Sequence, residues 1–498
     1  MNIIAASIKK YWLYIVICLL VGCINLCYLL GYKVPAFFTL EILAGVLLLY
    51  LLFFKKKLLF YALIFLIPVS VPIGIGGGSN LSFPSEFIVF LLGIFIMGRA
   101  FTGTSISRDL LFHPITIILC ADLCWMLICS FYSTIPLYSY KRAFIRLIYL
   151  AVFYFFAAEL FKNKKNIPLA FIIYGIGMII PVISSIAFHA RYNFIPAAAY
   201  KMTVPFFNDH TIYGAVLAFL APVLVIIAAY QTRNGKGKTL KILLWSLTAV
   251  IIVGLILSFS RAAWLSILIT LIFAALIWFR TKFSTFLIGT SLLALIIFLN
   301  FDSLTEMARR NDSKSNARDL SEHVESVSNI QTDASNMERI NRWKCALRMF
   351  ADRPIVGFGP GTYQYNYGLY QVRSEMTRIS TVTGNRGHAH SEYLTYLSEM
   401  GFFGFIIFLA QLFFAVYTGM KIIYKSRDRY TQALATGLLL ALFTIYIHSI
   451  FNAFLDIDKM AMLAFGALAG LVILDISYKK ELSATTVDYD ISPNNERL

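Results

Sequence analysis

Apolar segments of membrane-spanning length recur along this chain, and one long polar block interrupts them. Windows of about 20 residues, the length that a helix needs to cross a bilayer, locate fourteen such segments. They lie near 12–31, 35–54, 58–75, 84–99, 112–131, 143–161, 168–188, 211–230, 240–259, 262–279, 284–300, 391–418, 431–451 and 458–477. Lipid supplies no water to backbone amides, and the segments lack the ten-residue alternation of outer-membrane strands, so the pattern predicts helices. We therefore expect an all-α polytopic membrane protein with about 12–14 transmembrane helices.

The polar block near 300–390 divides the predicted bundle. The predicted domains are a transmembrane bundle of about 11 helices at 1–300, an extracytoplasmic loop at 301–390, C-terminal transmembrane helices at 391–478 and a cytoplasmic tail at 479–498. In the loop, a capping box from Ser335 to Glu338 precedes apolar residues at helical spacing, which predicts an amphipathic helix near 336–351. The preceding stretch 312–334 has few apolar residues and no sustained period, so we expect it to be mobile.

The composition agrees with a membrane protein, because 59% of the residues are apolar and 14% are charged. The formal net charge of +17 would suggest nucleic acid in a soluble protein, but most basic residues lie in short connections between apolar segments. They occupy every second connection, which by the positive-inside tendency places both termini in the cytoplasm and the loop 301–390 outside. The expected partners of these charges are anionic membrane lipids and not nucleic acid.

The cysteines support neither a disulfide framework nor a zinc site. Six of the seven lie inside apolar segments, and Cys345 is the one in a polar loop. We predict no metal and no cofactor. The first apolar run is about 20 residues long and is followed by Gly-Tyr-Lys instead of a small-residue cleavage site, so it is interpreted as a signal anchor.

The candidate chemistry lies where the polar block ends and the chain re-enters lipid. The sequence there is Gly384-Asn385-Arg386-Gly387-His388-Ala389-His390-Ser391-Glu392-Tyr393-Leu394. An imidazole, with its unperturbed pKa of about 6.5, suits proton transfer near neutral pH. A His-x-His metal site is conceivable, but no further ligand set accompanies it.

A glycine-rich turn, Gly357-Phe358-Gly359-Pro360-Gly361, follows the predicted loop helix. Such a turn can cradle a phosphate group. It lacks the lysine and the preceding strand of a nucleotide-binding loop, so a simple reversal of the chain is the favoured interpretation.

Several weak motifs occur in a recognisable order. They are Ser260-Arg261-Ala262-Ala263-Trp264-Leu265 at a helix start, Glu338-Arg339 with Trp343, Gly357-Phe358-Gly359-Pro360-Gly361-Thr362-Tyr363, and His390-Ser391-Glu392-Tyr393-Leu394 with Glu399 and Gly401. Together they resemble the O-antigen ligase and O-antigen polymerase superfamily, over roughly residues 205–415.

The resemblance implies a metal-independent glycosyltransferase of GT-C-like architecture in the bacterial cytoplasmic (inner) membrane. Its donor would be a glycan linked to polyprenyl (undecaprenyl) diphosphate, and the reaction would occur at the outer face. The acceptor would be a hydroxyl of lipid A core for a ligase of lipopolysaccharide biosynthesis, or a second carrier-linked repeat for a polysaccharide polymerase. We favour the ligase slightly. Direct attack by the acceptor would invert the anomeric configuration.

Arginines are the expected diphosphate ligands, because guanidinium groups pair bidentately with phosphate oxygens. The resemblance implies this role for Arg261; the structural alternative is an interfacial arginine that snorkels to head groups. Arg191 is the candidate second arginine, with Lys201 as its competitor. The segment Asn208-Asp209-His210 departs from the commoner family pattern, so a capping role for Asn208 or Asp209 is favoured over a role for His210.

The resemblance implies that His390 is the general base, with His388 as the second candidate. Glu392 or Glu399 is expected to orient the imidazole or to contact sugar hydroxyls. Glu338 and Arg339, which belong to the matching motifs, are secondary candidates.

Two other functional classes remain open. A transporter of lipid-linked glycans would need charged residues within spans and repeat symmetry; the candidates inside spans are Glu41, Asp122 and Glu399, and no internal repeat is evident. A membrane scaffold without enzymatic activity would leave the arginine and histidine motifs unexplained.

Overall fold

A computed structural model of the chain describes residues 36–74, 80–101, 106–195, 198–199, 201–234, 237–300, 303, 323–377, 380 and 387–491. The predicted span 12–31 and residues 304–322 lie outside the described residues. The described chain divides into two units, Met1–Ile64 and Phe65–Leu498. The first unit contributes an apolar helix and most of a second one, and the second unit contains all the elements that form the candidate site.

The structure is almost entirely helical. Its helices are α1 (Ala36–Phe54), α2 (Lys56–Leu66), α3 (Ser85–Phe101), α4 (Arg108–Leu111), α5 (Pro114–Phe131), α6 (Pro136–Phe161, π-helical at Leu150–Phe156), α7 (Asn166–Ala190), α8 (His210–Arg233), α9 (Lys238–Ile256), α10 (Arg261–Trp278), α11 (Phe283–Leu299), α12 (His323–Asp352), α13 (Tyr363–Asn366), α14 (Glu392–Lys425), α15 (Arg429–His448) and α16 (Asp458–Ile491). Short 3₁₀ turns follow α13 at Tyr367–Tyr370 and Arg373–Glu375. Two strands, β1 (Val71–Gly74) and β2 (Asn80–Phe83), pair antiparallel.

Within the described residues, nine helices are long and apolar enough to cross a membrane. They are α5, α6, α7, α8, α9, α10, α14, α15 and α16. The predicted all-α polytopic membrane fold is therefore confirmed. Two further apolar helical stretches are shorter, Gly45–Phe54 in α1 and Phe283–Ile297 in α11.

The predicted span 58–75 is not one continuous helix. Helix α2 ends at Leu66, and the strand β1 begins at Val71. Prolines at 68 and 72 explain the break, because proline lacks an amide hydrogen and disfavours helical geometry in the residue before it.

The loop helix is longer than predicted. Helix α12 begins at His323 and passes through Ser335, where the capping box predicted its start, before it ends at Asp352. Residues 323–334, expected to be mobile, are thus helical. Propagating an existing helix costs less than nucleating one, and the C-terminal half of α12 is anchored by tertiary contacts, including those of Arg348 with Glu375.

Local caps explain several helix starts. The Asp209 carboxylate accepts a bond of 2.9 Å from the Thr211 amide at the start of α8, which confirms the predicted capping role. Ser260 caps α10 and Ser391 caps α14, each through its side-chain oxygen. The bundle centres on α16, whose most apolar window is 89% buried, whereas the corresponding window of α10 is 28% buried and faces outward.

Candidate active site

Helix α14 is broken one quarter of the way along its length. Gly401 has φ 67° and ψ −165°, a backbone conformation that residues other than glycine rarely adopt. A Cβ at this position would collide with the carbonyl oxygen of Ile355. The Phe402 amide donates to the Pro354 carbonyl over 2.8 Å. The break thus lets the loop after α12 pack directly against the α14 backbone.

The glycine-rich turn binds a carboxylate of the protein itself. The amides of Gly361 and Tyr363 donate to the two carboxylate oxygens of Glu399, over 2.6 and 2.9 Å. The Gly359 amide donates to the Glu399 backbone carbonyl over 2.8 Å. Gly357, Gly359 and Gly361 all have positive φ, which explains why glycine occupies these positions. The turn therefore acts as a chain reversal that holds α14, in agreement with the favoured interpretation.

Two arginines of α6 form a buried ion-pair network beside this loop. Arg146 is 2% exposed and donates to Asp122 over 2.9 Å and to Asp456 over 2.5 Å. Arg142 donates to the other oxygen of Asp456 over 2.5 Å. Burial alone would raise the pKa of Asp456, but Arg142 and Arg146 lower it to about 2. The paired charges thus extend from the fully buried Asp122 to the partly exposed Arg142.

The two histidines of the re-entry motif contact each other. Their ring centroids are 4.6 Å apart, and the His390 amide donates to Nδ1 of His388 over 3.0 Å. His390 has φ 50°, and Trp343 donates to its carbonyl over 3.2 Å. Burial, followed by the charge of Arg342, lowers the pKa of His388 to about 4. Burial and the neighbouring His388 lower the pKa of His390 well below its usual value.

Arg342 holds the histidine segment in place. Its guanidinium donates to the His388 carbonyl over 3.2 Å and lies over the Tyr367 ring, 4.9 Å from the centroid. Glu338 is 5% exposed and accepts from Arg342 over 2.9 Å. A side chain at Gly387 would collide with the same guanidinium. Glu338 therefore acts indirectly, through Arg342, on the position of the histidines.

A cavity of about 380 Å³ brings these parts together. Its charged or titratable lining consists of Arg142, Asp209, His388, Glu392, Glu399 and Asp456, with Tyr138, Tyr363 and Phe454 as aromatic neighbours. Four helices thus contribute, together with the loops that precede α14 and α16. The shape and polarity suit a small polar ligand held by a few convergent groups.

Residues 246–409 match the family model described as O-antigen ligase (Wzy_C). This match confirms the resemblance to the O-antigen ligase superfamily. None of the curated proteins compared matches the chain. The O-antigen ligase family implies a glycosyltransferase-like ligase activity in general, with lipid-linked glycan and lipid A-core type substrates.

The stretch that matches the O-antigen ligase model supplies part of the cavity. His388, Glu392 and Glu399 lie within it, whereas Arg142 and Asp456 lie outside it on either side. These three residues of the matching stretch are candidates from the sequence, and all three line the cavity. His390 lies behind His388, and its Nδ1 is buried without a hydrogen-bond partner among the described residues.

The predicted phosphate ligands lie outside the cavity lining. Arg261, Arg191 and Lys201 are exposed. The Ser260–Arg261 turn nevertheless packs on α8, because a Cβ added to Gly214 would lie 2.6 Å from Cβ of Ser260. The first turn of that helix provides Ile212 to the cavity lining.

Arg339 is half-buried in α12, and its charge is among those that lower the pKa of His390.

Arg142 and Arg146 are not among the candidates predicted from the sequence. The predicted span at this point of the chain is 143–161, so both arginines lie at or near its edge, whereas the helix α6 begins at Pro136. Their spacing of four residues places them on one helical face. Burying two arginines on one face of a membrane helix costs free energy, so such residues are paired or functional. Their four-residue spacing is therefore the sequence signal that could have identified them.

Among the described residues, no group of three or more His, Cys, Asp and Glu side chains is arranged to hold a metal ion.

Proposed function

We propose that this protein transfers a glycan from a polyprenyl diphosphate carrier to a hydroxyl group of lipid A core, at the outer face of the bacterial cytoplasmic membrane. The observation that supports the proposal is the cavity, which His388, Glu392 and Glu399, all within the stretch that matches the O-antigen ligase model, line together with Arg142 of α6. The basic connections of the sequence favour an outer location for the loop that carries these residues.

His390 is the proposed general base. Its low pKa keeps the imidazole neutral near pH 7, and its buried Nδ1 is unengaged among the described residues. The Nδ1 of His388 already accepts a backbone hydrogen bond, so the neutral form of His388 carries its hydrogen on Nε2 and donates. This difference favours His390 over His388 as the proton acceptor. In a single displacement, the acceptor oxygen bonds to the anomeric carbon, its proton goes to His390, and the carrier diphosphate leaves with the bonding electrons.

Arg261 is the proposed ligand of the leaving diphosphate, with Arg191 or Lys201 as a second cation. A fixed guanidinium near the leaving oxygen stabilises the charge that develops there, and such electrostatic stabilisation is often the largest catalytic contribution. The packing of the Ser260–Arg261 turn against Gly214 supports a position near the cavity.

Transfer of a radiolabelled glycan from its polyprenyl diphosphate carrier in proteoliposomes tests the proposal, with lipid A core as acceptor and a chelator present. We expect labelled lipid A core with the wild type, a loss of roughly 100-fold or more with His390→Ala, and a similar loss with Arg261→Ala. Arg280→Ala is the matched control, because Arg280 is an exposed arginine just beyond the opposite end of α10. A retained anomeric configuration in the product would contradict single displacement.

The alternative is a polymerase that uses a second carrier-linked repeat as acceptor. The same assay without lipid A core distinguishes the two, because a polymerase lengthens carrier-linked chains. Absence of transfer to either acceptor would favour the transport function or the scaffold, and full activity of both variants would show that His390 and Arg261 are structural and that the active site lies elsewhere.

A further inference from the structure

The cavity is acidic. Four carboxylates line it, and among its described lining residues Arg142 is the only arginine or lysine. The charge of Arg142 is already engaged by Asp456 over 2.5 Å. His388 adds no positive charge near neutral pH, because its pKa is about 4. A phosphate group entering this space would meet carboxyl oxygens and no unengaged lysine or arginine of the described lining, which disfavours its binding.

Three of the four carboxylates are occupied by the protein itself. Glu399 accepts from Gly361 and Tyr363, Asp456 accepts from Arg142 and Arg146, and Asp209 accepts from the amide and hydroxyl of Thr211. These hydrogen bonds account for both oxygens of each group. The three carboxylates are therefore bound by partners within the protein and form part of the cavity wall.

Glu392 differs from them. Its side chain is 2% exposed, and Oε2 is buried without a hydrogen-bond partner among the described residues. The carboxylate also interacts with the backbone of Leu455. Its position is fixed, because its amide donates to the Ser449 carbonyl over 2.8 Å and Ser391 caps the helix at this point. A buried carboxylate oxygen left unpaired destabilises a fold, so a residue of this kind calls for an external donor.

We infer that the cavity is the subsite for an uncharged acceptor sugar, and that Oε2 of Glu392 accepts a hydrogen bond from one of its hydroxyl groups. The inference rests on the proposed glycan transfer. Carboxylate oxygens accept from hydroxyls, and Tyr138 and Phe454 offer apolar ring surface at the cavity wall. Phosphorylated sugars are disfavoured, because the described lining offers a phosphate group no unengaged cation. The carrier diphosphate then binds outside this cavity, on the side of Arg261.

Saturation-transfer NMR on the protein in detergent micelles tests the subsite without any transfer reaction. The probes are methyl glucoside, glucosamine and glucose 6-phosphate at millimolar concentration. We expect signals from methyl glucoside with the wild type, their loss in Glu392→Gln, and no signal from the phosphate. Equal or stronger binding of glucose 6-phosphate, or binding of glucosamine alone, would overturn the inference. This experiment measures sugar binding and no reaction product, so absence of binding can be distinguished from a failure of glycan transfer.

Kinetics and stability together separate a binding role for Glu392 from a structural one. With lipid A core varied at saturating donor, we expect Glu392→Gln to raise the acceptor KM by roughly 10- to 100-fold and to leave the donor KM within about 2-fold. The variant should unfold at the same temperature as the wild type or higher, because Oε2 has no hydrogen-bond partner among the described residues that the substitution could break. Glu399→Gln is the matched control and should unfold at a lower temperature. Equal changes in both KM values, or destabilisation by Glu392→Gln, would contradict the inference.

Discussion

Arg146 donates two hydrogen bonds to one carboxylate oxygen of Asp456, from Nε over 3.1 Å and from Nη2 over 2.5 Å. The two residues are 310 positions apart in the chain, so this contact joins α6 to the connection between α15 and α16. Arg146 is almost completely buried. Asp122 and Asp456 compensate the charge of this buried guanidinium, and the Tyr396 hydroxyl accepts a further hydrogen bond over 3.1 Å. The pair is therefore a structural support of the cavity.

Replacing Arg146 by methionine should lower the free energy of unfolding by about 3–5 kcal/mol, because it leaves Asp122 and part of Asp456 uncompensated in the interior. Unfolding in mixed micelles measures the change. Lys480→Ala is the control: Lys480 pairs with Asp109 at the surface, both are more than half exposed, and such pairs contribute little. An Arg146→Met variant as stable as the wild type would show that the network is dispensable.

The break in α14 at Gly401 leads to a second prediction. Gly401→Ala should destabilise the protein by about 2 kcal/mol or more, because alanine must adopt positive φ and its methyl group meets the Ile355 carbonyl. Gly289→Ala serves as the control, since no atom lies within 4 Å of its added methyl group and alanine favours helices. Equal thermal stability of the two variants would mean that the loop after α12 does not depend on the break.

The hydrophobic pattern located the nine described helices that could cross a membrane, because burial in lipid acts on each segment separately. It did not reveal the break within 58–75 or the full length of α12. The Asp209 cap was also predictable, since it is a local contact. The pattern did not reveal Arg146, since its partners lie in distant segments, nor the role of Glu399, since a glycine-rich turn indicates a reversal without indicating which group its amides bind. Tertiary contacts between distant segments thus determine the cavity, and a single sequence does not encode them in any local period.

Glu399→Gln should loosen the glycine-rich turn. The carboxylate accepts two backbone amides, whereas a glutamine side chain offers one acceptor oxygen and places an NH2 group against a donor. We expect a loss of about 2 kcal/mol and faster hydrogen exchange at the Gly361 and Tyr363 amides. The Phe402 amide, which bonds to Pro354 and not to Glu399, is an internal reference. Unchanged protection of Gly361 would contradict the prediction.

The histidine pair should make the protein less stable in mild acid. Burial holds the pKa of His388 at about 4 in the folded protein, while an unfolded histidine has a pKa of about 6.5. Below pH 6.5 the unfolded chain therefore binds more protons than the folded one, so the stabilisation is complete above pH 6.5 and is lost as the pH falls towards 4. One such histidine should lower the free energy of unfolding by about 1–2 kcal/mol between pH 6.5 and 5. Unfolding across this range should show a smaller pH dependence for His388→Gln than for the wild type; identical pH profiles would show that His388 is protonated without cost in the folded state.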